Sequence, residues 1–93
     1  MTLLLKDPDA ALDYAVDWGA EYLGEDELAE SMWDVTPAEA GGVSVEGHQF
    51  DLLVAKVTAA GGVPGHIYRL INRVVLASGL TDSRSIMLRV EKR

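Results

Sequence analysis

The chain contains no cysteine. That excludes a disulfide framework, a thiolate metal site and a thiol nucleophile. Histidine is scarce as well: His48 and His66 are the only two, and no set of histidines and carboxylates has the spacing of metal ligands. No serine sits in a nucleophile-elbow context, so neither metal nor acyl-transfer chemistry is legible, and the expectation is a protein without catalytic residues or cofactor. Long apolar runs are absent too. None approaches the ~20 residues a membrane span needs, and Leu3-Leu4-Leu5 lacks an h-region and a cleavage site. A soluble protein made in the cytosol is therefore expected. Bases are few: eight lysines and arginines face 15 acids, net −7, and no basic stripe exists to neutralise phosphates, which argues against a nucleic-acid binder.

What is present is turn chemistry and alternation. At 93 residues the chain is expected to form one domain over 1–93 that buries roughly 60–65% of its unfolded surface. Glycine and proline cluster at Gly61-Gly62-Val63-Pro64-Gly65 and again around Ser78-Gly79. Between and after these breaks, His66–Ala77 and Ser83–Val90 alternate in polarity and are rich in Ile, Val, Leu and Tyr, which predicts a long β-hairpin. In the first strand Tyr68, Leu70, Asn72, Val74 and Leu76 form the charge-free face and are expected inside. Ile67, Arg69, Ile71, Arg73 and Val75 are expected outside. In the second, Ile86, Leu88 and Val90 point in, and Met87 and Arg89 point out.

Further upstream, Asp7-Pro8 has the form of an N-cap followed by proline at a first helical position, which predicts a short helical turn. Leu12, Tyr14, Val16 and Trp18 alternate as a strand, while Tyr14, Ala15 and Trp18 also fit helical spacing; the strand is preferred. A loop over Gly24–Glu27 leads to a strand over Leu28–Val35. After a turn at Ala38–Gly42 come a short strand Val43-Ser44-Val45 and a second turn at Glu46-Gly47-His48. A strand with Leu53, Ala55, Val57 and Ala59 on one face then ends at Gly61-Gly62. Some seven short strands with frequent turns predict an all-β, immunoglobulin-like two-sheet β-sandwich. Tyr68, just after a Gly/Pro turn at the start of the penultimate strand, is placed as a corner tyrosine whose hydroxyl bonds back to upstream backbone, and Trp33 is expected to plug the core.

With these residues placed, the chain resembles the fiber-tail adaptor proteins of phages and prophages. The resemblance rests on Lys6-Asp7-Pro8-Asp9, Leu12-Asp13-Tyr14, Val16-Asp17-Trp18, Trp33-x-Val35 and Gly61-Gly62. It continues through Tyr68-x-Leu70-x-Asn72-Arg73-Val74, Gly79-x-Thr81-Asp82-x-Arg84-Ser85-Ile86 and Leu88-Arg89-Val90. It implies a non-catalytic structural protein of the virion tail, present in multiple copies and contacting tail and fiber subunits, with no nucleic acid, membrane or small-molecule substrate as partner. The competing expectation is a surface- or carbohydrate-binding immunoglobulin-like module of an adhesin.

Three residue sets invite a site reading. Asp7, Asp9, Asp13 and Asp17 lack the Gly-centred twelve-residue loop of a calcium site, so a cap plus solvated strand acids is the better account. Charge is also uneven along the chain: residues 1–46 hold 12 acids and one base, residues 47–93 hold 3 acids and 7 bases. Two copies could pair these halves, but strands distant in sequence interleave in a sheet, and that account is preferred. The candidate partner interface is the outward stripe Ile67, Arg69, Ile71 and Arg73, because β-branched apolar residues mixed with arginine suit a buried contact better than a wet surface. The opposing possibility, equally weighted, is that the stripe covers the second sheet's edge or stays solvated.

Overall fold

A computed structural model describes residues 3–21 and 25–92. Seven strands run in the order β1 (Leu3–Lys6), β2 (Leu12–Asp17), β3 (Leu28–Thr36), β4 (Val43–Phe50), β5 (Val54–Gly61), β6 (Ile67–Leu76) and β7 (Thr81–Val90). A one-turn helix, α1 (Trp18–Glu21), follows β2. The strands form a four-stranded sheet β1-β7-β6-β3 and a three-stranded sheet β2-β5-β4. All pairings are antiparallel except β1 with β7, which is parallel. Lettered in chain order, the trios C-F-G and B-E-D have the neighbour order of the immunoglobulin sandwich, while the first strand lies beside the last instead of beside the second.

The C-terminal hairpin forms as expected. Tyr68, Leu70, Asn72 and Val74 are buried and Leu76 half-buried, with Tyr68 paired to Leu88 and Leu70 to Ile86 of β7, whose Val90 is also buried. His66 N donates to Val63 O at 3.0 Å, and Pro64 and Gly65 (φ 86°) take the two central positions of the turn. Proline suits the first of these, and only glycine readily takes a positive φ at the second.

Several details depart from the sequence reading. Asp7 does cap, its Oδ1 accepting from Asp9 N at 2.8 Å, but Ala10 N then bonds Asp7 O at 3.1 Å and the chain enters β2 without a helix. The short strand and the turn at Glu46-Gly47-His48 are one continuous β4. Its register against β5 shifts between Val45 and Gly47, so Glu46 is the extra residue of a bulge. Leu53 lies outside β5, 46% exposed, because Asp51 Oδ1 accepts from Leu53 N (2.9 Å) and Val54 N (2.8 Å) and holds it in the turn. The loop expected over 24–27 falls partly outside the described residues; its described part, 25–27, is non-strand.

The core joins Val16, Val43, Ala55, Val57 and Ala59 of one sheet to Tyr68, Leu70, Val74, Leu88 and Val90 of the other. Trp33 belongs to it at 9% exposure, but Trp18, at 1%, is the deeper of the two tryptophans. Trp18 Nε1 donates to Asn72 Oδ1 at 2.8 Å, and Asn72 Nδ2 donates to Ser31 Oγ at 2.9 Å and Met32 O at 3.0 Å. Asn72, apparently misplaced on an apolar face, is thus the buried hub joining α1 to β6 and β3, its amide satisfied on both sides. Trp33 Nε1 has no such partner among the described residues.

Lys6 is the other buried polar residue of consequence, with no exposed surface. Its Nζ donates to Gly61 O at 2.7 Å and Asp7 O at 2.9 Å. Because Lys6 ends β1 and Gly61 ends β5, the ammonium clips the four-stranded sheet to the three-stranded one. Burial lowers its pKa, with Asp7 and Asp9 opposing that shift.

Candidate partner interface

The outer surface of the four-stranded sheet is built from the residues that alternate with the core. Register places Leu5, Arg89 and Ile67 in one row and Leu3, Met87, Arg69 and Thr36 in the next. Ser85, Ile71 and Asp34 follow, then Ser83, Arg73 and Met32. All four residues of the sequence-derived stripe therefore share one face, and it turns away from the second sheet, which rules out the account in which they cover that sheet's edge. Ile67 is 46% exposed and Ile71 half-buried, while Arg69 and Arg73 are exposed.

Three further apolar residues on this face were not anticipated: Leu3 (51% exposed), Leu5 (47%) and Met32 (53%). Their alternation with Leu4 and Ser31 was visible, but only parallel pairing of β1 with β7 and antiparallel pairing of β3 with β6 bring them beside the stripe. The arginines differ in how they are neutralised. Arg73 pairs with Asp34 on β3, and Arg89 Nε meets Glu91 at 2.8 Å, whereas Arg69 has no ion pair among the described residues. Scattered apolar residues on a surface are ordinary, but a contiguous apolar strip around an uncompensated arginine has the makeup of a protein–protein contact.

The outer surface of the three-stranded sheet is different in kind. Rows Asp13–Thr58–Gly47 and Ala15–Lys56–Gln49 give it small and polar residues, with one acid and one base among them. A Cβ at Gly47 would meet nothing within 4 Å, and around it lies a hollow of about 300 Å³ bordered by Asp13, Gln49, Lys56 and Thr58. Asp13 Oδ1 accepts from Thr58 Oγ1 at 2.5 Å. The four N-terminal aspartates do not converge: Asp9 reaches Lys92 at 3.4 Å, and Asp7 caps its own turn. No group of three or more His, Asp or Glu side chains that could hold a metal ion occurs among the described residues.

One polar cluster lies at the end of the sandwich where β5 meets β6. Tyr68, buried, accepts from Val63 N at 3.0 Å and donates to Glu39 Oε1 at 2.5 Å; His66 Nδ1 lies 2.7 Å from the same oxygen. The bond to Val63 backbone is the one expected of a corner tyrosine. The hydroxyl of Tyr68 and then the ring of His66 lower the pKa of Glu39, while burial and then the Glu39 bond raise that of Tyr68. A carboxylate whose pKa is depressed in the folded state contributes stability that is complete above its unfolded value, 4.5, and is lost as pH falls through the folded one. Tyr68→Phe should remove the main cause and orphan the Val63 N–H, costing about 1–3 kcal/mol near neutral pH. The loss should shrink as the protein is titrated from about pH 6 to about pH 3, which paired urea melts of wild type and variant would measure.

In comparisons with known proteins, a family model described as podophage GP4 fiber-tail adaptor protein gp77 matches residues 6–89. No curated protein matches the chain.

Proposed function

We propose how this chain, which belongs to the podophage GP4 fiber-tail adaptor family and is a structural protein attaching tail fibers in the virion tail, makes its contacts. The outer face of the four-stranded sheet, centred on Ile67, Arg69, Ile71 and Arg73, is buried against another virion subunit, and the role is filled by protein–protein contact without catalysis or cofactor. Several copies act in each particle, made in the cytoplasm of the bacterial host. The observation that carries this is the concentration of exposed Leu3, Leu5, Met32 and Ile67 on a single sheet face around Arg69, which has no ion pair among the described residues. The adhesin-module alternative has no comparable support.

Ile71→Asp tests the interface. The side chain points out of the sandwich, so the variant should still fold, with a melt lowered by the loss of a half-buried isoleucine and by the new carboxylate across from Asp34. A carboxylate buried at a contact without a partner is costly, so incorporation into particles should fall and fibers should be lost with it. Normal incorporation and normal infectivity would remove this face from the account.

A further inference from the structure

We propose that copies of this chain stack head to tail, the outer face of one copy's four-stranded sheet on the outer face of the next copy's three-stranded sheet, with Arg69 entering the hollow beside Asp13. This rests on the reading of the four-stranded face as an interface and names its occupant.

Charge and shape both select the pairing. Outward on the four-stranded sheet stand Arg69, Arg73 and Arg89, of which Arg73 and Arg89 already hold Asp34 and Glu91. On the three-stranded sheet Asp13 and Asp17 flank a single base, Lys56. The first face thus offers a cation with no ion pair among the described residues, set among bulky apolar side chains, and the second a recess lined by Asp13, Gly47, His48, Lys56 and Thr58 on a face where Asp13 and Asp17 outnumber Lys56. A two-fold dimer joining two copies of the four-stranded face would set the arginines of each against those of the other, and like-charge juxtaposition across an interface is strongly unfavourable. Joining unlike faces avoids this and makes a heterologous contact, one that continues from copy to copy.

The footprint sets the strength to expect. Four strands spaced about 4.8 Å apart, one of four residues and three of nine or ten, cover roughly 500 Å² before side-chain relief is counted. That lies below the ~800 Å² per partner of a standard stable interface, so free copies associate weakly. The net charge of −7 keeps them apart further at low ionic strength, and the measurement belongs at about 0.15 M salt, where the screening length is ~8 Å.

Sedimentation velocity on the full chain over a wide concentration range is the test. Wild type should grow past the dimer as concentration rises. Arg69→Glu spoils one face and Asp13→Lys the other, so each variant alone should stay monomeric, its association weakened about a hundredfold. Mixed in equal amounts, the two should associate again and grow past the dimer, because the unchanged faces pair as in wild type and the two reversed charges complement each other at the altered ones. Far-ultraviolet circular dichroism checks that both fold, and Arg69→Gln with Asp13→Asn replaces either one that does not. A wild type monomeric at every concentration, an Asp13→Lys chain that associates like wild type, or a mixture that stays monomeric would each overturn the stacking. If stacking fails while Ile71→Asp still keeps the chain out of particles, the face belongs to a different virion subunit. If Ile71→Asp is incorporated normally, the interface reading itself falls.

Discussion

Trp18→Ala should leave the protein largely unfolded at 25 °C. The indole is 1% exposed, at the start of α1 where the chain leaves β2, and packs in the core shared by both sheets. Truncating a buried tryptophan to alanine costs about 3–5 kcal/mol. Here the loss is compounded, because Asn72 Oδ1 would lose the 2.8 Å bond from Nε1 and remain buried. An unsatisfied buried acceptor adds about 1–3 kcal/mol. Domains of this size commonly hold 5–15 kcal/mol in total. Trp33→Ala should be milder, since Trp33 is 9% exposed and its Nε1 has no partner among the described residues to orphan. Urea denaturation orders them: the midpoint should fall further for Trp18→Ala than for Trp33→Ala, and an unchanged midpoint for Trp18→Ala would put the indole outside the core.

Lys6→Ala should produce the next largest loss. It removes a fully buried stem, each methylene of which is worth about 0.8 kcal/mol, and takes a charged donor away from Gly61 O and Asp7 O. Against this stands the cost of holding the ammonium out of water, the same cost that lowers its pKa. The stem and the ammonium can be separated with Lys6→Met, which keeps the apolar length and drops the charge. The expected order of thermal midpoints is wild type, then Met, then Ala, with Ala lower by about 2–4 kcal/mol equivalent. A Met variant as stable as wild type would mean that the clip adds nothing beyond its methylenes. The neighbourhood offers little slack for repacking: a Cβ on Gly62, which follows Gly61, would lie 2.5 Å from Val90 Cγ2 of the opposite sheet.

The parts of this molecule governed by local rules were visible in the sequence, and the parts assembled at long range were not. Period-two polarity from Ile67 to Val90 sorted the hairpin's faces correctly, including Asn72, because a two-residue repeat leaves no choice of side once one face is charged. The same logic put Ile67, Arg69, Ile71 and Arg73 together on one surface. The bulge in β4 was hidden because Glu46-Gly47-His48 uses the residue types of a turn, and only pairing with β5 turns them into strand. Lys6 gave no local sign of burial, its main acceptor being 55 residues away. Choosing between Trp18 and Trp33 needed the position of Asn72, and the meeting of Glu39 with His66 and Tyr68 needed the strand crossing between sheets. The uneven charge of the two halves of the chain partly survives folding: the bases of β6 lie beside the acids of β3, yet the acids of β2 remain on the opposite sheet.

The most direct test of the account uses the absence of cysteine. Ile71→Cys gives the chain a single thiol at the centre of the four-stranded sheet's outer face, and a maleimide reports whether that thiol is reachable. In the isolated protein the thiol should label readily, and in intact purified particles it should be protected, with labelling restored when the particles are dissociated. Equal labelling in the isolated protein and in intact particles would show that the face stays open to solvent in the virion, and would contradict its role as the adaptor's contact surface.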